Sequence, residues 1–571
     1  MNEQRNLIIA IALSVLILLG FQYLFPRAPR PVPPPQQPVA TAPAVPGLAD
    51  GRPPVPGMQP VLPVESRAKS LESSRRIPIR TPSLQGSIAL TGARIDDLTL
   101  LKYRQAIAKD SPPITLLSPS GAPQPYYAQF GWVTAEPGVK TPGPESIWQP
   151  TNPDAVLTPD TPVVLTWDNG EGLRFVRTYT VDANYMFGIV QRVENYGSKP
   201  VSLYPYAFIN RTGTPKTAGT YILHEGPLGV LDGTLKEKKY SKLKKEHQVA
   251  EKSTGGWIGI TDKYWLTAVV PDQKAAETGR FVYQDVDNTD RYQVDFTAAD
   301  PVVVAPNGSA QAGFHLFAGA KVLSLLDKYA DTYGIPKFDL AIDFGWFWFL
   351  TKPFFQLLRW LHTQLGNMGL AILAMTVMIK LAMFPLANKS YTAMSKMKKL
   401  QPEIQKLQQR FADDKMRLQQ EMMALYKKEK VNPASGCLPM VIQVPVFFAL
   451  YKVLYVTIEM RQAPFIGWIH DLSQRDPTTV FNLFGLIPWD PPAMLHIGVW
   501  PLIMGVTMWL QQKLNPQPAD PMQAKMFQFL PIVFTFMLGR FAAGLVIYWA
   551  WSNTLSILQQ WVIMKKAGVK A

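Results

Sequence analysis

The run at residues 369–389, GLAILAMTVMIKLAMFPLANK, constrains most what this chain can become. It is apolar over a length that crosses a bilayer, yet it carries an ammonium, Lys380, inside it. A lysine at depth costs about 2.5–3.5 kcal/mol on insertion scales, and intramembrane charges are usually paired. The later apolar runs, 439–457, 495–510, 527–538 and 541–564, contain no Asp or Glu. Within the apolar runs Lys380 therefore has no carboxylate partner. Two readings follow. Lys380 precedes Lys389 by roughly 13 Å of helix, so its stem can snorkel to the interface. Alternatively, it stands with Thr376, Gln443, Gln528, Ser552 and Asn553 in a wet groove and meets an anion that arrives from elsewhere.

At 571 residues the chain is too long for one core. Only 17% of its residues are charged, and the formal net charge of +15 points to polyanionic partners, lipid headgroups or RNA. The single cysteine, Cys437, excludes an intrachain disulfide, and with six scattered histidines it builds no metal cluster. It reads as a small apolar packing residue.

In chain order, residues 1–25 read as an amino-terminal membrane anchor, apolar over 7–24. The nearest Ala-x-Ala, Ala40-Thr41-Ala42, is far from the apolar end and precedes Pro43, which argues against a cleaved signal peptide. Residues 26–64 form a Pro-rich, semi-rigid linker. Residues 65–335 alternate in short runs broken by Gly, Pro, Asn and Asp. Leu173, Phe175, Tyr179 and Val181 share one strand face, Arg174, Thr178 and Thr180 the other, and Asp168-Asn169-Gly170 is a turn signal. This predicts a large β-sandwich. Its histidines, His224, His247 and His315, fall at no recognisable catalytic or metal spacing. A scaffold or docking role and an enzyme housed in this domain both remain open.

Residues 336–366 are aromatic and place Lys352, Gln356, Arg359 and Thr363 on one helical stripe, with Phe354, Leu358, Leu361 and Leu365 opposite. That pattern predicts an interfacial amphipathic helix. A five-span core follows at 367–564. Within it, residues 388–432 hold eleven Lys/Arg against five acids, which places them in the cytosol. Ile404, Leu407 and Phe411, then Leu418, Met422 and Leu425, predict a helical hairpin with a turn and capping acid at Ala412-Asp413-Asp414 and Pro402 in the first turn of a helix. Its cations, among them Lys398, Lys399, Lys406, Arg410, Lys415 and Arg417, either fix topology or dock a ribosome or targeting factor. Asp520-Pro521 reads as a helix cap and first-turn proline. The tail 565–571 is basic and cytosolic. The fold class is a polytopic α-helical membrane protein carrying a β-sandwich outside the cytosol.

Several segments are specific enough to compare. They are Met383-Phe384-Pro385-Leu386, Tyr391-Thr392-Ala393-Met394-Ser395-Lys396-Met397, Val431-Asn432-Pro433-Ala434-Ser435-Gly436-Cys437-Leu438-Pro439, Gln443-Val444-Pro445-Val446-Phe447, Trp468-Ile469-His470-Asp471-Leu472-Ser473 and Gly544-Leu545-Val546-Ile547-Tyr548-Trp549. Over about residues 336–564 the chain resembles the YidC-type membrane protein insertases of Gram-negative bacteria. The resemblance implies a hydrophilic groove open to cytosol and lipid, with one basic residue inside. Lys380 matches that residue, where the family more often has arginine. Lysine keeps the positive charge but lacks the fork that grips a carboxylate through two parallel hydrogen bonds. Thr376 and Tyr548 match other groove positions, and Trp549 stands where tyrosine is common. The hairpin matches a region the family needs for activity and for contact with targeting components.

The resemblance further implies an inner-membrane, multi-pass protein with both termini cytosolic and the β-domain periplasmic. Its partners would be nascent membrane proteins, the Sec translocon (SecYEG and SecDF), the ribosome, the signal recognition particle pathway and the lipid bilayer. No nucleotide-binding motif of the P-loop type occurs, so neither hydrolysis nor a cofactor is expected. Two rival classes are a solute transporter, against which stand missing intramembrane carboxylates and inverted repeats, and a membrane-anchored periplasmic sugar-active protein.

Overall fold

Alternating burial organises the first half of the chain. The strand Leu173–Val181 buries Leu173, Phe175, Tyr179 and Val181, as the period of two requires. The turn before it closes as its sequence predicts: Asn169 Oδ1 accepts from the backbone N–H of Glu171 at 2.7 Å and of Leu173 at 2.9 Å, and Gly170 takes φ +71°. The computed structural model describes residues 55, 64–217, 223–411, 414–429, 431, 438–489, 491–492, 496–515 and 521–566. The expected anchor at 1–25, almost all of the linker, Cys437, Asp520 and the end of the tail lie outside the described residues.

Two sheets, of ten and nine strands, form the β-domain, and their strands pair antiparallel. Long neighbours such as Val201–Thr212 and Thr289–Ala298 hold the middle of the first sheet, and Met186–Asn195 and Ser309–Ala320 the middle of the second. The sheets stack through Phe130 and Phe314, 6.1 Å between ring centres, and through Tyr126, whose hydroxyl donates to the Ile260 carbonyl at 3.2 Å. An arginine also enters this core. Arg177 shares the inward face of its strand and is 1% exposed. Its guanidinium donates to the carbonyls of Phe130 at 2.6 Å and Ala93 at 3.2 Å and lies over the Trp148 ring. Hydrogen bonds from this arginine of the nine-stranded sheet to backbone carbonyls on the side of the ten-stranded sheet are what make that burial tolerable.

Helix α1, Leu323–Tyr333, ends at Gly334 in the left-handed conformation and packs Tyr329 on Phe317. The packing runs on past the expected boundary at 335, since Phe338 abuts Trp257 and Phe317. The second half is helical: α2 Trp348–Leu365, α3 Met368–Ala382, α4 Phe384–Arg410, α5 Lys415–Lys428, α6 Leu438–Val456, α7 Val499–Leu514, α8 Pro521–Leu538 and α9 Ala543–Lys566.

Three expectations need correction. The run at 369–389 is two helices, α3 and α4, bent by 68° at Met383. Pro385 explains the break, because it removes an N–H and its ring blocks the carbonyl four residues back. Pro402 lies inside α4 rather than at a helix start, so one helix runs from the bend to the hairpin tip. Helix α2 buries Thr351, Phe355, Leu358 and Leu361, whereas Phe354 is half-buried and Leu365 exposed. Its inward face is turned because α2 packs on both α3 and α6. Of the expected polar stripe, Gln356, Arg359 and Thr363 are exposed, and Lys352 pairs with Asp339 at 2.9 Å.

Taken singly, no helix among the described residues is both long and apolar enough to cross a membrane. With 15 residues, α3 reaches only about 23 Å, short of a hydrocarbon core of about 30 Å. Helix α9 is long enough but is interrupted by polar side chains.

Candidate functional site: a polar stripe facing Lys380

Lys380 occupies the last turn of α3, where unpaired carbonyls at a helix end favour a cation. Asn367 caps the other end, accepting from the Leu370 N–H at 3.0 Å and donating to the Phe465 carbonyl at 3.2 Å. Helix α3 is thereby pinned to the loop that follows α6. The half-buried ammonium of Lys380 donates to Ser556 Oγ at 2.8 Å. Tyr391, buried on α4, lies beside the same serine. Among the described residues no carboxylate lies within ion-pair distance of Lys380.

Helix α9 supplies the facing surface. Tyr548, Ser552, Ser556 and Gln560 recur every four residues and form one polar stripe, all of it buried. Gln443 of α6 donates to the Tyr548 hydroxyl at 3.1 Å, with Ser552 one turn along the stripe. Beside the stripe, Asn553 donates to Thr507 of α7 at 3.4 Å, and Gln560 to Asn515 at 3.1 Å. Gln560 Oε1 and Gln559 Nε2 are buried with no protein partner among the described residues. Polar atoms left open at one end of a stripe are where water or a guest backbone binds at least cost.

The expected site residues are thus placed unequally. Gln443 meets Tyr548, Lys380 meets the same stripe two turns on at Ser556 with Ser552 between, and Asn553 turns instead to Thr507 of α7. Thr376 is 1% exposed and turns its hydroxyl back onto the Ile372 carbonyl at 2.7 Å. Trp549 packs its ring on Phe447 at 4.7 Å and flanks the stripe. Gln528 is exposed on α8. Ser556, Gln560, Tyr391 and Thr507 were missed, although the four-residue spacing from Tyr548 through Ser552 points directly at the first two. Lys452, a second cation within an apolar run, was also missed. It is paired with Asp343 at 2.8 Å.

In the hairpin, α4 and α5 turn about Asp414, whose carboxylate accepts from the Arg417 N–H at 3.0 Å. Lys399, Lys406, Arg410 and Arg417 are exposed, Lys398 is half-buried, and the Lys415 side chain lies outside the description. A cleft of about 550 Å³ between the two arms mixes Lys406, Arg410 and Lys428 with Glu403 and Glu421. Among the described residues no cluster of His, Cys, Asp and Glu forms a metal site.

Two family profiles match this chain: the YidC periplasmic domain over residues 76–357 and the 60Kd inner membrane protein over residues 360–570. The membrane protein insertase YidC of Beijerinckia indica subsp. indica is 51% identical, covering 100% of this chain and 97% of that one. The chain belongs to the YidC family of membrane protein insertases. The YidC of Bradyrhizobium diazoefficiens is 50% identical with the same coverage. Among solved structures, an active YidC insertase with its first transmembrane domain resolved matches 85% of this chain and 92% of its own, at 18% identity and a TM-score of 0.36. This YidC-family chain is accordingly a bacterial inner-membrane protein with a periplasmic β-domain. It is an insertase rather than an enzyme, and its substrates are nascent membrane proteins in a lipid bilayer.

Proposed function

We propose that the stripe of α9, Lys380 and Gln443 form the groove that receives a client's polar segment. The observation that carries this reading is the Lys380–Ser556 contact: a membrane-embedded ammonium held by a hydroxyl, with no carboxylate among the described residues to neutralise it. An acidic or polar external segment is drawn to that charge, and the client's apolar helix then slides out laterally into lipid. Burial of apolar surface, at about 25 cal/mol per Å², supplies the driving energy. The groove acts kinetically by shortening the hydrocarbon distance a polar segment crosses.

The same reading takes residues 1–25 as the anchor and 367–564 as five spans, with the bent pair α3–α4 as the first and both termini cytosolic. Helix α2 lies at the periplasmic interface, supported by the exposure of Trp346, Trp348 and Trp360. The hairpin, with Lys399, Lys406, Arg410 and Arg417, meets the ribosome and the signal recognition particle pathway. The Sec translocon is a second working partner. The test is Lys380→Glu, assayed on clients that differ only in the charge of a short external tail. Insertion of the acidic client falls further than that of the neutral one. Equal insertion of both would reject the charge-attraction step, and crosslinks from Gln443 and Asn553 to a stalled nascent chain test the groove separately.

A further inference from the structure

A cavity of about 740 Å³ opens where the periplasmic domain meets α2 and α6. Its charged end holds Glu237 of the edge strand Thr234–Glu237, Lys239 two residues on, Asp343 and Lys452. Asp343 is fixed there: one carboxylate oxygen accepts from Lys452 Nζ at 2.8 Å and the His224 N–H at 3.1 Å, the other from the Gly345 N–H at 3.0 Å. Glu237 and Lys239 are exposed, one charge of each sign. The other end is aromatic and apolar, formed by Trp346 and Phe347 before α2 and by Val444 and Phe448 of α6. Trp346 is 86% exposed, Phe448 49% and Val444 46%. From Lys452 to Val444 the helix descends roughly 12 Å away from the β-domain.

Charge of both signs at one end and a hydrocarbon wall at the other complement one kind of molecule. A simple anion leaves Glu237 unmatched. A sugar or other soluble solute leaves the α6 wall unmatched. The volume falls within the roughly 300–1,000 Å³ of sites that enclose a small ligand, and tryptophans beside it suit the membrane–water boundary. We propose that this cavity holds a zwitterionic phospholipid of the outer leaflet, its phosphate toward Lys239 and Lys452, its ammonium toward Glu237 and its acyl chains along Val444 and Phe448. The lipid then bridges the periplasmic domain to α6. This proposal stands apart from the groove and does not depend on it.

The test is native mass spectrometry of the full chain in a maltoside detergent, with added phosphatidylethanolamine, phosphatidylglycerol or the soluble headgroup glycerophosphoethanolamine. One phosphatidylethanolamine per chain is retained at a concentration about tenfold below that needed for phosphatidylglycerol. Glu237→Gln abolishes that preference, and Val444→Trp, which fills the apolar end, weakens both lipids about fivefold at an unchanged melting temperature. Equal retention of the two lipids by the unmodified chain overturns the proposal. So does retention of the soluble headgroup as tightly as the lipid, which would assign a solute site instead. The unmodified chain decides the matter even where a variant fails to fold.

Discussion

Lys452 Nζ lies 2.8 Å from the Asp343 carboxylate, and this pair ties α6 to the segment leaving the β-domain. The lysine side chain is 8% exposed and the aspartate 24%. Breaking such a pair from one side removes the nearest opposite charge of a buried group and is destabilising, whereas removing both sides is milder.

Asp343→Asn therefore lowers the thermal stability of the purified chain strongly, and Asp343→Asn with Lys452→Met regains most of the loss. Melting curves of the four proteins in the double-mutant cycle check this. Strictly additive losses would show that the two residues act separately.

Ser556 is predicted to act through Lys380. A hydrogen bond to a charged group contributes about 1.5–3 kcal/mol, so Ser556→Ala slows insertion of acidic-tailed clients about tenfold or more. In a Lys380→Met background the same change has little effect. A loss of equal size in both backgrounds would assign Ser556 to helix packing alone.

Two buried groups of the periplasmic domain give opposite pH dependences. Burial pushes the Glu277 carboxyl up to about 8 from 4.5, so the folded chain keeps a proton the unfolded chain has lost. Its contribution to stability falls as pH rises from about 4.5 to about 8. Burial pushes His224 down to about 4 from 6.5, so its contribution falls as pH drops through that window. Between pH 6.5 and 8 the opposing slope from His224 fades, and Glu277→Gln removes a slope of at most about 1.4 kcal/mol per pH unit. Melting temperatures of both proteins across that range check the sign. A variant as pH-sensitive as its parent would refute it.

Gly505 of α7 approaches α8 so closely that an added Cβ would collide with Thr535 Oγ1. Small residues permit such contacts between membrane helices. Gly505→Val is expected to pry α7 from α8 and lower the melting temperature, and Thr535→Ala alongside it to restore part of the loss. Failure of that rescue would place the strain elsewhere.

Local pattern made much of this molecule legible. The alternation at 173–181 located a strand, Asn169-Gly170 its turn, and the apolar runs α6 to α9 to within a few residues. Lys380 stood out because a charge in an apolar run is costly wherever it sits. What escaped depends on partners distant in sequence. Nothing near Lys452 announces Asp343, and nothing near Lys380 announces Ser556, since their meeting is decided by how whole helices pack. The bend at Met383 was a different failure. Pro385 was visible, but the apolar run continuing through Ala387 masked the interruption of the backbone ladder.

That bend has a mechanical consequence. Helix α4 is 27 residues long, about 40 Å, and its base at Phe384 is one turn from Lys380. Force applied near Arg410 runs down this helix, past Pro402, to the bend at Met383, which lies between that arm and Lys380. The far tip of the hairpin and the charge it never touches are thus geared together.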